Sequence, residues 1–253
     1  MMMVTLTRCH NGDRITFPRR SSGEGLNMSL LVCMKAGQTI IMAADSRGTI
    51  GDPRGLTAIN DTYIKIFPLG RFGIGLVGVS EMGNTLLDEL NRKNIGSIND
   101  LGDAIPKIAK ESAECFNRWF GNIPHDRRPI VLVTVAGHRI NADKQEPMIY
   151  MLGSQTNFAP QLFGHMPCMS GVPQYAVYLA HRYYDPSISV KQAKALAEYL
   201  ITETASQDPK VGGPIHMAEI PPDSGYRELS KEELEEIHAS NEELNQNLRK
   251  FFL

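Results

Sequence analysis

No apolar stretch in this sequence approaches the roughly 18 residues that a membrane-spanning helix needs, and its charge is not gathered into blocks of one sign. Acids and bases alternate along the chain and nearly cancel, with 26 Lys and Arg against 28 Asp and Glu. That leaves no electrostatic footprint for nucleic acid, so neither nucleic acid nor a membrane is expected as a partner. Cysteine is also scarce. Cys9, Cys33, Cys115 and Cys168 are widely spaced, with no C-x-x-C pair and no Cys/His cluster. They read as reduced thiols of a cytoplasmic protein, Cys33 and Cys115 as core residues. No internal repeat and no nucleotide-binding loop is present, and no cofactor or metal is expected.

The chain is 253 residues long and 42% hydrophobic, enough for one large domain or two small ones around a sizeable core. Residues 1–28 differ from the rest. They have little periodicity and end in a Ser/Gly-rich stretch, and they lack the apolar centre of a secretory signal. Asp13 and Glu24 argue against an organelle transit peptide. A propeptide, a tail and an over-extended gene start all fit this extension. The last is favoured, because Gly23-Glu24-Gly25 can be encoded by a purine-rich ribosome-binding sequence just before Met28.

The stretch "NMSLLVCMKAGQTIIMAADSR" (27–47) then opens abruptly on a strand–turn–strand pattern. Residues 29–36 and 39–45 alternate, with Gly37 at the turn. Residues 46–61 read as a loop dense in Gly, Pro and Asp. Further strands are expected at 62–67 and 71–79; in the first, Ile64 and Ile66 point to one face and leave Lys65 on the other. Helical spacing follows at 81–94, and again after Ser97, a candidate N-cap with Asp100 three residues on. Strands return at 128–137 and 147–153, helices at 172–184 and 190–207, and a last strand at 213–220. Strands and helices come in blocks, which argues against a doubly wound parallel sheet. The expected class is α+β, a four-layer αββα sandwich of two antiparallel sheets with helices on both outer faces.

The expected division is an extension at 1–28, a domain at 29–222 and a C-terminal amphipathic helix at 223–253. The tail carries a capping box, Ser230 with Glu233, and a hydrophobic staple, Leu229 with Leu234. Leu234, Ile237, Asn241, Leu244, Leu248 and Phe251 form a heptad seam with one polar position. Such a helix could pack on its own domain or against another subunit.

Residues 29 to about 220 resemble proteasome-type subunits, which are N-terminal nucleophile hydrolases, and in kind the stand-alone bacterial proteasome-related proteins. The resemblance is carried in order by "SLLVCMKAGQTIIMAADSR", "YIKIF", "GLVGVSE", "MSGVPQYA" and "SQDPKVGGPI". It implies a catalytic set. Ser29 would be the nucleophile, exposed by removal of residues 1–28, with its own α-amino group as base; such an amine has a pKa near 7.7–8.0 and is substantially neutral at working pH. Asp45 lies sixteen residues after Ser29, the family's spacing, with Arg47 completing its AD-x-R pattern. Lys65 matches the catalytic lysine, whose charge favours proton transfer near the nucleophile. Gly78 matches the oxyanion-hole glycine, with Gly75 a weaker alternative. Ser170 and Asp208 match supporting groups near the amine.

Two departures stand out. Serine replaces the commoner threonine and lacks the methyl group that restricts its rotamer, and Val211 stands where a supporting serine is expected. The resemblance further implies self-association into rings, peptide or unfolded-protein substrates, and a separate ATP-driven unfoldase where substrates are folded. A non-catalytic, alpha-like ring subunit and an amide hydrolase acting on a small substrate are the alternative readings.

Overall fold

The computed structural model describes residues 29–51, 57–142 and 144–252. The expected extension, residues 1–28, and the Met28–Ser29 junction lie outside the described residues. In chain order the elements are β1 (Leu30–Ala36), β2 (Thr39–Asp45), β3 (Gly48–Gly51), β4 (Thr57–Asn60), β5 (Ile66–Leu69), β6 (Phe72–Val77), α1 (Ser80–Arg92) and α2 (Leu101–Phe120). After them come β7 (Leu132–Asn141), β8 (Lys144–Gly153), β9 (Gln161–Phe163), β10 (Cys168–Gly171), α3 (Gln174–Tyr183), α4 (Val190–Gln207), β11 (Ile215–Ile220), β12 (Arg227–Glu228) and α5 (Lys231–Phe252).

Strands β1 and β2 pair around Gly37, whose φ of +60° is the left-handed conformation that glycine adopts most easily. Leu30, Val32 and Met34 face one side of β1, Leu31 and Cys33 the other, and both sides are buried. A strand buried on both faces needs a layer on each side, and the topology supplies them. Among the described residues there are two five-stranded antiparallel sheets, ordered β10-β1-β2-β11-β12 and β5-β6-β7-β8-β9. Leu31, Ile40 and Met42 of the first sheet meet Ile66, Val77 and Ile149 of the second between the layers. Helices α1 and α2 cover the outer face of the second sheet with Leu86, Leu90, Ile108 and Phe116. Helix α4 covers the first with Leu196, Leu200 and Ile201, and α3 adds Ala176 and Ala180. The result is the expected α+β fold, four layers with helices outside both sheets. No helix among the described residues is long and apolar enough to cross a membrane.

Several local expectations are corrected. Residues 46–61 contain a short hairpin, β3 with β4. The strand expected at 62–67 begins only at Ile66, because the chain before it is held in a turn: the Asn60 carboxamide oxygen accepts the Thr62 N–H at 3.0 Å and its hydroxyl at 2.7 Å. Ile64 is consequently 52% exposed, while Lys65 is buried. Helix α2 is capped by Asp100, which accepts the Gly102 N–H at 2.7 Å. Ser97 belongs instead to a preceding 3-10 turn and donates to the Asn94 carbonyl. Strand β7 starts at Leu132 rather than 128 and runs on with β8 into a hairpin ending at Asn141 and Lys144.

Ser189 caps α4 in a capping box with Gln192, and Ser230 and Glu233 form the same motif at α5. Helix α5 lies on α4. Asn241, its buried polar position, donates to the Ala195 carbonyl at 2.8 Å and to the Glu198 carboxylate. Leu244, Leu248 and Phe251, the later half of the seam, are exposed.

Candidate active site

Ser29 sits immediately before β1 and is 7% exposed. Its backbone is fixed on two sides. The Ser29 carbonyl accepts the Val172 N–H at 2.8 Å, just past the edge strand β10, where Gly171 lies opposite Leu30. Gly171 has φ +105°, and a Cβ there would stand 1.8 Å from the Ser29 carbonyl oxygen. Only glycine permits this approach. On the other side, the Leu30 N–H donates to Asp45 Oδ1 at 2.9 Å.

Asp45 ends β2 with no exposed surface, and a buried carboxylate is tolerated only when its oxygens are paired. Both oxygens are shared. Oδ1 accepts the Leu30 N–H and the Lys65 ammonium, the latter at 2.7 Å; Oδ2 accepts the N–H groups of Gly212 at 3.0 Å and Arg47 at 3.2 Å. Lys65 also donates to the Arg47 carbonyl at 2.7 Å. Burial lowers the Lys65 pKa from its ordinary value, while Asp45 and, more weakly, Asp61 oppose that shift. The structure therefore brings Ser29, Asp45 and Lys65 together through one carboxylate, with a buried ammonium as its counter-charge.

The Lys65 carbonyl accepts the Leu76 N–H at 2.8 Å, which places β6 and the glycine after it beside this segment. Gly78 has φ +126°, and a Cβ there would meet the Ile130 carbonyl oxygen at 2.6 Å. Gly75 lies within β6, where a Cβ would strike Leu31. Of the two glycines, Gly78 alone is required by its backbone conformation.

Ser170 is buried in β10, and its hydroxyl is hydrogen-bonded to Thr134 Oγ1 at 2.9 Å and approaches the Met151 sulfur at 3.6 Å. It thus lies in the layer between the two sheets. Asp208 is the C-cap of α4, its carboxylate accepting the Lys210 N–H at 2.9 Å. It opens the turn that carries Gly212 to Asp45. Val211 in that turn is fully buried in the apolar core against the helices.

Three participants were not legible from residue spacing. Thr134 is a buried strand residue with no motif around it. Asp61, in a segment read as loop, receives the Arg47 guanidinium in a two-point fork at 2.8 and 2.9 Å. Gly212 matters for its N–H, which no side-chain pattern advertises.

No protein-family model matches the chain, and no curated protein does. Solved structures do. Anbu (ancestral beta-subunit) from Yersinia bercovieri superposes with a TM-score of 0.69 at 16% identity, over 88% of this chain and 96% of that one. The Anbu complex of Pseudomonas aeruginosa, described as a helical assembly, gives 0.71 at 18% identity over 88% and 95%. A Gly-1 mutant of Anbu from Hyphomicrobium sp. strain MC1 gives 0.68 at 16%, over 88% and 96%. At such identities the likeness is one of architecture, and the chain has the proteasome-like fold of the Anbu proteins.

Proposed function

We propose that this chain is an N-terminal nucleophile peptidase of proteasome type, in which removal of residues 1–28 makes Ser29 the first residue. The observation that carries the reading is the shared Asp45 carboxylate: one oxygen holds both the Leu30 N–H, next to Ser29, and the Lys65 ammonium. A buried Lys–Asp pair is expensive to form. Its position at the start of β1 is the arrangement a hydroxyl nucleophile needs.

In the proposed reaction the freed Ser29 amine takes the proton from the Ser29 hydroxyl. The oxygen attacks the substrate's peptide carbonyl carbon and forms a tetrahedral adduct. An ammonium has three donors; with two on Asp45 and Arg47, the third serves the nucleophile and keeps the amine's pKa low. The Gly78 N–H stabilises the oxyanion. The C–N bond then breaks, the amine product leaves with the proton, and water hydrolyses the acyl-serine ester. The chain self-associates in this reading, in line with the helical assembly of the Pseudomonas protein. A folded substrate would need a separate ATP-driven unfoldase.

The test is mass spectrometry of the native N-terminus with and without a β-lactone or epoxyketone probe. A mature chain that begins at Ser29 and is modified there supports the peptidase. An assembled chain that keeps Met28 and takes no probe supports a non-catalytic ring subunit instead.

A further inference from the structure

We infer that the Arg47–Asp61 ion pair is the positioning device of this site, stapling together the three segments that carry Asp45, Lys65 and Asp208. The inference rests on the reading of Ser29, Asp45 and Lys65 as a catalytic set; the Arg47 and Asp61 side chains bind each other and the carbonyls of Pro209 and Val211, so the pair acts through position. The segments are the end of β2 with its continuation (45–48), the connector into β5 (61–65), and the turn after α4 (208–214).

The guanidinium addresses all three. Its backbone belongs to the first segment. Nε and Nη2 fork onto the Asp61 carboxylate of the second at 2.8 and 2.9 Å. Nη1 donates to the carbonyls of Pro209 at 3.1 Å and Val211 at 3.4 Å in the third. The turn is shaped to receive it. A Cβ on Gly212 would lie 2.6 Å from the guanidinium carbon, and one on Gly213 would lie 2.8 Å from Asp61 Cβ; φ is +155° and +73° at the two positions. The consequences reach the site directly through backbone groups. The Gly212 and Arg47 N–H groups complete Asp45 Oδ2, the Ser46 N–H donates to the Gly212 carbonyl, and the Arg47 carbonyl receives Lys65.

A partly exposed ion pair adds little to stability by itself; the Arg47 and Asp61 side chains are 22% and 36% exposed. Its worth lies in geometry, because a planar fork fixes orientation as a point charge cannot. The pair also balances its own field at Lys65, where Asp61 raises the pKa and Arg47 lowers it, with Asp45 the third charged neighbour.

The natively processed protein, assembled as it is in its host, would be studied as wild type, Arg47→Lys and Asp61→Asn. Two quantities are read: amide hydrogen exchange at Ser46, Arg47 and Gly212, and the rate constant for β-lactone labelling of Ser29 against pH. Both variants are expected to lose protection at those amides while β6 and β7 keep theirs. Each is expected to label roughly 10–100-fold more slowly at unchanged half-saturating probe concentration, the scale of loss for reacting groups displaced by about an ångström. In Asp61→Asn the unbalanced Arg47 charge moves the ascending limb of the pH profile to lower pH; in Arg47→Lys the limb stays in place. If wild type takes no label, the nucleophile reading fails and exchange alone decides the staple. Retained protection at Gly212 and Arg47 in both variants, or labelling within twofold of wild type, overturns it.

Discussion

The Leu30 N–H donates to Asp45 Oδ1 at 2.9 Å, so the carboxylate at the end of the second strand grips the peptide that joins Ser29 to the first. The same oxygen holds Lys65. Any change to the pair is therefore felt at the backbone beside Ser29, the proposed nucleophile.

Lys65→Met leaves a carboxylate with no exposed surface beside a vacated cation site. Breaking a buried pair from one side destabilises by about 3–5 kcal/mol. Urea titration should show that loss, and Lys65→Met with Asp45→Asn should recover part of it, because the double variant no longer buries an unpaired charge. A single variant as stable as wild type would contradict the pairing.

Gly171→Ala places a methyl group against the Ser29 carbonyl at a backbone conformation that L-residues resist. Strain of this kind costs about 1–3 kcal/mol, and relief requires β1 and β10 to separate at their ends. A lower melting temperature is expected, with faster exchange of the Val172 amide, which donates to Ser29.

Glu233 supplies an acid-dependent contact at α5. The Arg227 fork, then the Ser230 N–H, hold its carboxyl down at about 2, against an ordinary 4.5. With the folded pKa depressed, the contact's contribution is complete above 4.5 and is lost as pH falls toward 2. Exchange protection in the first turns of α5 should decline across that interval in wild type. In Glu233→Gln it should start lower and change less.

Cys33 and Cys168 are fully buried partners across β1 and β10. Burial raises both thiols, that of Cys168 to about 12. Since the thiolate is the reactive species, neither should react with a thiol reagent at pH 8 in the folded protein, and both should react in denaturant. Peptide mapping of the native product distinguishes them from the other cysteines.

The sixteen-residue spacing of Ser29 and Asp45 was matched through the family resemblance; the hairpin keeps it because a tight turn fixes which residues face each other, and Leu31 lies opposite Ala44. The cap of α5 was readable for a similar reason: a capping box is closed within four residues. Lys65 was found as a residue but misread in its setting. Alternation made Ile64 and Ile66 a shared apolar face, whereas the Asn60 turn delays the strand and leaves Ile64 in solvent. The seam that holds Asn241 could pack on its own domain or against another subunit, and the bonds of Asn241 to Ala195 and Glu198 place it on α4.

By itself the sequence determined the local pieces: the buried hairpin, the helix boundaries with sequence-local caps, and the block order that selects two antiparallel sheets over a parallel one. Those follow from forces acting over a few residues, namely side-chain periodicity, turn conformation and capping. The tertiary structure alone decided which groups complete the Asp45 carboxylate. Gly212 reaches it from 167 positions away, and Arg47 meets Asp61 and the 208–214 turn only after three separate segments have converged. A buried charge must satisfy its oxygens from whatever the fold brings near, and a backbone N–H carries no mark in the sequence to say that it will be the donor.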